Sequence, residues 1–141
     1  MIDVVDLQRK VRLDLPSVKA FTGRLISEVP ETAGRTFSVA FISDSRMKQL
    51  NSFFRSRDST TDVLSFPYEP DEFAPDKKHL GDIVISAEQA ERQAVENGLT
   101  LDAEVRQLVL HGLLHLCGYD HETDNGEMDA RELMLREQMG I

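Results

Sequence analysis

Residues 100–121 read TLDAEVRQLVLHGLLHLCGYDH. Thr100 is placed to cap a helix whose apolar positions run through Leu108, Leu110 and Leu114 to about Cys117, and Gly118 ends it. His111 and His115 stand four apart inside that helix. Side chains four apart share one face, with Cβ atoms about 5–6 Å apart, so one cation can touch both. Gly118 tolerates positive φ, and the turn it permits brings His121 back as a third donor. Three neutral imidazoles and one open position describe a catalytic zinc site, because structural zinc is usually closed by four ligands. Imidazole ligands also suit nickel and copper, so zinc leads a short series of first-row metals. The alternative is two unremarkable helix histidines and a third in a loop. It would serve for one histidine, but three of the chain's four fall within this segment, with a glycine at the bend.

The spacing His-x3-His-x2-Gly-x2-His is shared with the metzincin peptidases. Those enzymes carry glutamate directly after the first histidine, as the general base. Here that position is Gly112, which has no side chain to take a proton, so the scaffold is present without the peptidase base. Cys117 follows His111 by six residues and projects about 240° around the helix from it, which makes it a packed thiol rather than a ligand.

Outward from this helix, the chain reads as an α+β domain with an approximately four-stranded mixed sheet, four to five helices and a metzincin-like metal-binding helix. Strands are expected at residues 2–7, 36–42, 62–68 and 80–85. Pro67 suggests a sheet edge or a strand end. A first helix opens at Pro16 and runs to about Val29, with Val18, Phe21, Leu25 and Ile26 on one side; Pro30 and Gly34 mark the loop after it. Ser43 or Asp44 caps a second helix carrying Met47, Leu50, Phe53 and Phe54. Ser86 caps a third, which stops at Asn97–Gly98, and Asp124 with Glu127 forms a capping pair for a last helix to about Met139. Residues 69–79 form a polar loop that includes His79, which has no partner at ligand spacing.

With 141 residues, 40% hydrophobic and 29% charged, the chain is one domain's worth of sequence, and residues 1–141 are treated as a single domain. No apolar run reaches membrane-spanning length, the first ten residues lack a signal-peptide pattern, and one cysteine excludes an internal disulfide framework. A reducing cytoplasm is the expected setting. The net charge of −9 argues against nucleic acid coating the whole surface, but not against a local basic cleft. Between Ser45 and Arg57 there are four basic residues (Arg46, Lys48, Arg55, Arg57) and no acidic one, whereas residues 100–141 hold nine acidic and three basic. Two solvated helix faces would give the same asymmetry.

These blocks resemble the YbeY-type endoribonucleases, also described as ribosomal RNA maturation factors. The histidine motif is matched by His111, Gly112, His115, Leu116, Gly118, Tyr119, Asp120 and His121. A second block is matched by Leu50, Asn51, Arg55, Asp58 and the run from Thr61 to Pro67, and a third by Leu80, Gly81, Asp82 and Ile83. Residues 1–29 and the last helix match weakly. Thr60 departs from the pattern, standing where many members have proline, and is expected to loosen its loop. The resemblance implies a zinc-dependent, single-strand-specific endoribonuclease acting in ribosomal RNA maturation, chiefly at the 3′ end of the small-subunit RNA, and in RNA quality control. The implied partners are single-stranded RNA and the ribosome or its small-subunit proteins, with no DNA and no membrane.

It also implies a functional role at Arg55, agreeing with what a guanidinium can do for a phosphodiester through two parallel hydrogen bonds. Without the resemblance Arg55 would read as an ordinary surface arginine at a helix end; Arg57 is a weaker candidate of the same kind. Asp62 is expected to cap a turn first. Asp120 and Glu122 flank His121 and could orient a histidine or take a proton. Attack by a metal-activated water and by the RNA 2′-hydroxyl are both open. Two competing functions remain: a metal-dependent peptidase or amide hydrolase, and a non-catalytic ribosome-binding protein stabilised by zinc.

Overall fold

Residues 36–42 alternate in hydrophobicity, and in the computed structural model that alternation becomes the inner strand β2 (Thr36–Ile42), with Phe37, Val39 and Phe41 wholly buried. The structure describes residues 4–69 and 78–141, so the first residues of the expected opening strand and most of the 69–79 loop lie outside the described residues. β2 runs parallel to β1 (Val4–Asp6) on one side and to β4 (His79–Ser86) on the other. β3 (Val63–Pro67) adds antiparallel to β4, giving the order β1-β2-β4-β3 and the expected mixed sheet. Pro67 lies opposite Gly81 at the end of this edge strand, where a missing N–H does little harm.

Five α-helices complete the α+β domain among the described residues: α1 (Leu15–Glu28), α2 (Asp44–Arg55), α3 (Ala87–Asn97), α4 (Leu101–Leu116) and α5 (Glu127–Met139). Asp14 caps α1 by accepting from the Ser17 amide, so the helix begins one residue before Pro16. Ser43, not Asp44, caps α2; the Asp44 carboxylate instead accepts from Thr60, Ser86 and Arg92. Thr60 is thereby tied to the start of α2. A 3₁₀ turn (Pro30–Thr32) occupies part of the expected loop after α1. The capping pair before α5 exists in shifted form: Gly126 is the cap residue, Asp124 accepts from the amides of Gly126 and Met128, and Glu127 accepts from that of Asn125.

One face of the sheet carries the main core, shared with α1, α4 and α5. A smaller cluster of Ile42, Met47 and Leu64 lies with α2. The second helix departs from expectation here. Met47 is fully buried, but Phe53 and Phe54 are 80% and 57% exposed. Phe53 projects about 240° from Met47, off the buried face. Phe54 shares that face, but it sits two turns further on, where its ring meets the edge-strand residue Phe66 at 5.1 Å. His79 also differs: it opens β4, with Nε2 facing Asp82 at 3.4 Å and its ring against Tyr68.

Candidate metal centre

Helix α4 is buried over most of its circumference, with Val109, Leu110, Leu113 and Leu114 wholly enclosed. His111 and His115 occupy the strip left half-buried. Gly112 is where α4 presses on the sheet: a Cβ there would meet Ile83 Cγ2 at 2.8 Å, and its carbonyl accepts from the Ser65 hydroxyl at 3.0 Å. The position that bears a peptidase glutamate elsewhere is thus a helix–sheet contact with no room for a side chain.

Past Cys117 the chain turns at Gly118, whose φ of 101° is left-handed, and His121 returns over the helix. The three rings form a nearly equilateral triangle, with centroids 5.0, 5.3 and 5.1 Å apart. One nitrogen from each lies within 4.8 Å of the others, so His111, His115 and His121 could hold a single metal ion. Cys117 stays out of this set; burial pushes its thiol up to about 11, away from the thiolate form a metal would need.

The hydrogen bonds decide the tautomers. His115 Nδ1 lies 3.1 Å from the Tyr119 carbonyl, which can only accept, so Nδ1 donates and Nε2 is the free donor atom. His111 Nδ1 lies 2.8 Å from Glu132 of α5. Burial opposes ionisation of Glu132, but the hydrogen bond from His111 and the charges of His111 and Arg136 outweigh it and hold the carboxyl below its usual range. Glu132 therefore accepts and His111 Nδ1 donates. Such partners fix a ligand's orientation and raise its basicity. Burial, and then the proximity of His111 and His121, lowers the pKa of His115, favouring the neutral form that binds metal.

The triangle opens into a cavity of about 560 Å³. Arg55, Arg57, Asp62, Asp120 and Glu122 line it, so every candidate that the sequence placed near the histidines reaches it. Arg55 ends α2 and lies 3.4 Å from Glu122, with both side chains about half exposed. Exposed pairs of this kind are worth about 0–1 kcal/mol, so the guanidinium can exchange its partner for an anion. Asn51, buried within α2, holds the arginine loop in place: its side chain donates to the Ser59 carbonyl, and its own carbonyl accepts from the amides of Ser56 and Arg57. Asp62 accepts from the Val63 amide at 2.8 Å at the start of β3 and also faces the cavity.

Sequence reasoning missed Glu132 and did not assign Asn51 a role. Glu132 is 21 residues from His111 and carries no spacing signal. Asn51 stood in the second block of the resemblance, but its residue type alone pointed to no role.

Fold and site define the class: a single α+β domain with three histidines that could hold a metal ion beside a cationic rim. Comparison with known proteins supplies the family. The family model described as endoribonuclease YbeY matches residues 4–140. An endoribonuclease YbeY of Nautilia profundicola is 57% identical over 98 residues, covering 70% of this chain and 68% of that protein. Its counterpart in Solibacter usitatus is 40% identical over 126 residues, covering 89% and 80%. That of Thermodesulfovibrio yellowstonii is 34% identical over 150, covering 97% and 92%. The solution structure of TM1509 from Thermotoga maritima superposes with a TM-score of 0.65 at 28% identity, over 99% of this chain and 90% of that one. The chain belongs to the endoribonuclease YbeY family.

Proposed function

We propose that this chain is a zinc-dependent, single-strand-specific endoribonuclease that acts in ribosomal RNA maturation at the 3′ end of the small-subunit RNA and in RNA quality control, within the cytoplasm. The observation that carries the reading is the convergence of His111, His115 and His121 in a cavity that also receives Arg55 and Arg57. Three neutral nitrogen donors with an open side suit a catalytic zinc. When bound, the metal supplies Lewis acidity and an acidified water at neutral pH. The chain's own residues do the rest. Arg55, released from Glu122, holds the scissile phosphodiester and neutralises the charge that builds on it. Arg57 assists at the same rim. Glu132 and the Tyr119 carbonyl keep His111 and His115 turned with Nε2 toward the cavity. The ribosome or its small-subunit proteins deliver the RNA, since the −9 chain has little general attraction for it.

Proteolysis is the weaker alternative, because Gly112 is packed against Ile83 and supplies no base. The test is incubation of metal-loaded protein with single-stranded RNA, duplex RNA and casein, beside a His115→Ala control. Cleavage of the single strand alone, abolished in the control, is expected. Casein cleavage, or RNA cleavage that survives in metal-free His115→Ala protein, would overturn the proposal. Elemental analysis of protein purified without added metal should find about one zinc per chain.

A further inference from the structure

Outside the metal cavity, the surface feature that stands unexplained is the aromatic tip of α2. Phe53 is 80% exposed and Phe54 57% exposed, and their rings pack edge-on at 4.8 Å. Phe54 continues the contact to Phe66 of the edge strand at 5.1 Å, so the three rings form one patch rather than scattered apolar residues. Contiguous exposed apolar surface marks a docking site more often than chance exposure does.

The surroundings of the patch say what would dock. Residues 45–57 contain no acid and four cations. Arg55, which follows Phe54 directly, lines the metal cavity, as does Arg57. On the other flank Lys48 and Phe53 border a second, shallower hollow of about 360 Å³. Alternating arginine or lysine with exposed aromatics is the chemistry that binds unpaired nucleotides: cations follow the phosphates while rings stack on bases. A protein partner or second copy would also gain from the rings, but the arginines that follow them, Arg55 and Arg57, line the metal cavity, which ties the patch to whatever that cavity receives.

We infer that Phe54, with Phe53 and Phe66 behind it, is a base-stacking platform that seats an unpaired nucleotide of single-stranded RNA next to the phosphate held by Arg55. The inference rests on the RNA reading above and deepens it. Bases in a duplex are already stacked on one another and cannot reach the rings, so the platform makes single-strandedness itself the feature recognised. Base identity matters little, because every base has a π-face.

The test measures binding by fluorescence anisotropy, using a labelled single-stranded RNA decamer and a matched decamer of abasic ribose-phosphate, with each probe checked on a gel for intactness. Wild type is compared with Phe54→Ala, Phe54→Leu and Phe54→Trp, all confirmed as folded by circular dichroism and by unchanged metal content. Phe54→Ala should weaken binding to the RNA decamer about 10-fold or more, and leave the abasic decamer within about twofold. Phe54→Trp should bind like wild type, and Phe54→Leu should not. Equal losses on both probes, full rescue by leucine, or wild-type affinity in Phe54→Ala would overturn the platform. So would a change of oligomeric mass in Phe54→Ala with RNA binding intact, which would make the patch a face between copies. Single-strand cleavage by wild type with no effect of Phe54 would sink the platform alone. Phe54-dependent binding without any cleavage would sink the enzymatic reading and leave the platform standing.

Discussion

At the scale of single residues, the centre divides its work between atoms that would touch a metal and atoms that would touch substrate. Arg55 lies on the cavity rim, paired among the described residues with the exposed Glu122, and is no part of the histidine triangle. We expect Arg55→Ala to bind metal as wild type does and to lose about 100-fold or more in RNA cleavage, the usual cost of removing a charge-stabilising donor. Wild-type turnover in that variant would remove the phosphate role. Glu132 acts one bond further out. Replacing it by glutamine keeps an acceptor for His111 Nδ1 but removes the charge that makes Nε2 a stronger donor. Zinc affinity, measured by competition with a chelator, should fall by about 10-fold or more; an unchanged affinity would reduce Glu132 to a packing residue.

Whole elements are set by two contacts with opposite characters. Gly112 lets α4 lie close on β4. Alanine is favoured over glycine in a helix by about 1 kcal/mol, yet overpacking costs about 1–3 kcal/mol. Ile83 is wholly buried and branched at Cβ, so its methyl cannot swing aside. The steric cost therefore wins, and Gly112→Ala should lower Tm by a few degrees; a raised Tm would show that the helix has slack against the sheet. The second contact is Glu31 of the 3₁₀ turn, bound in two parallel hydrogen bonds by Arg131 of α5 at 2.7 and 2.8 Å, with Tyr119 donating to it as well. The hydrogen bonds from Arg131 hold its pKa at about 2, below the ordinary 4.5. A carboxyl with a depressed folded-state pKa stabilises above its unfolded value, and that stability drains away as pH falls from 4.5 toward 2. Allowing for solvent screening, the contribution is about 1–2 kcal/mol. The Tm gap between wild type and Glu31→Gln should be full at pH 6 and close near pH 2; a gap that persists in acid would mean that the charge is not its source.

For the molecule as a whole, the unequal charge distribution governs encounter. A −9 chain should bind RNA through the acid-free stretch of residues 45–57 and neutralise few phosphates, so its affinity should depend only shallowly on salt. Arg46→Glu combined with Lys48→Glu should weaken binding to single-stranded RNA several-fold and flatten the salt slope further. Unchanged affinity would place the RNA elsewhere and leave the asymmetry as a solvated helix face. Lys48 already faces Asp58 at 3.9 Å, an exposed pair too weak to withhold it from a phosphate.

Local chemistry was legible without coordinates. Thr100, Ser86 and Ser43 carry their caps in their own side chains, period-two burial announced β2, and His111 and His115 were bound to share a helix face because 3.6 residues make a turn. Gly118 foretold the bend that returns His121. Long-range partners were not legible, because nothing in a linear string marks which distant side chain will close a hydrogen bond. Glu132 meets His111, Glu122 meets Arg55 and Thr60 meets Asp44 only once the helices have been laid on the sheet. The fate of Phe53 and Phe54 belongs to the same class. Their residue type says core, yet whether an apolar ring is covered depends on where the sheet ends beneath its helix, and here the sheet ends at β3. Sequence alone determined which histidines could meet around one metal ion and the local turn that gathers them; tertiary packing decided how their rings are oriented and which apolar side chains were left facing water.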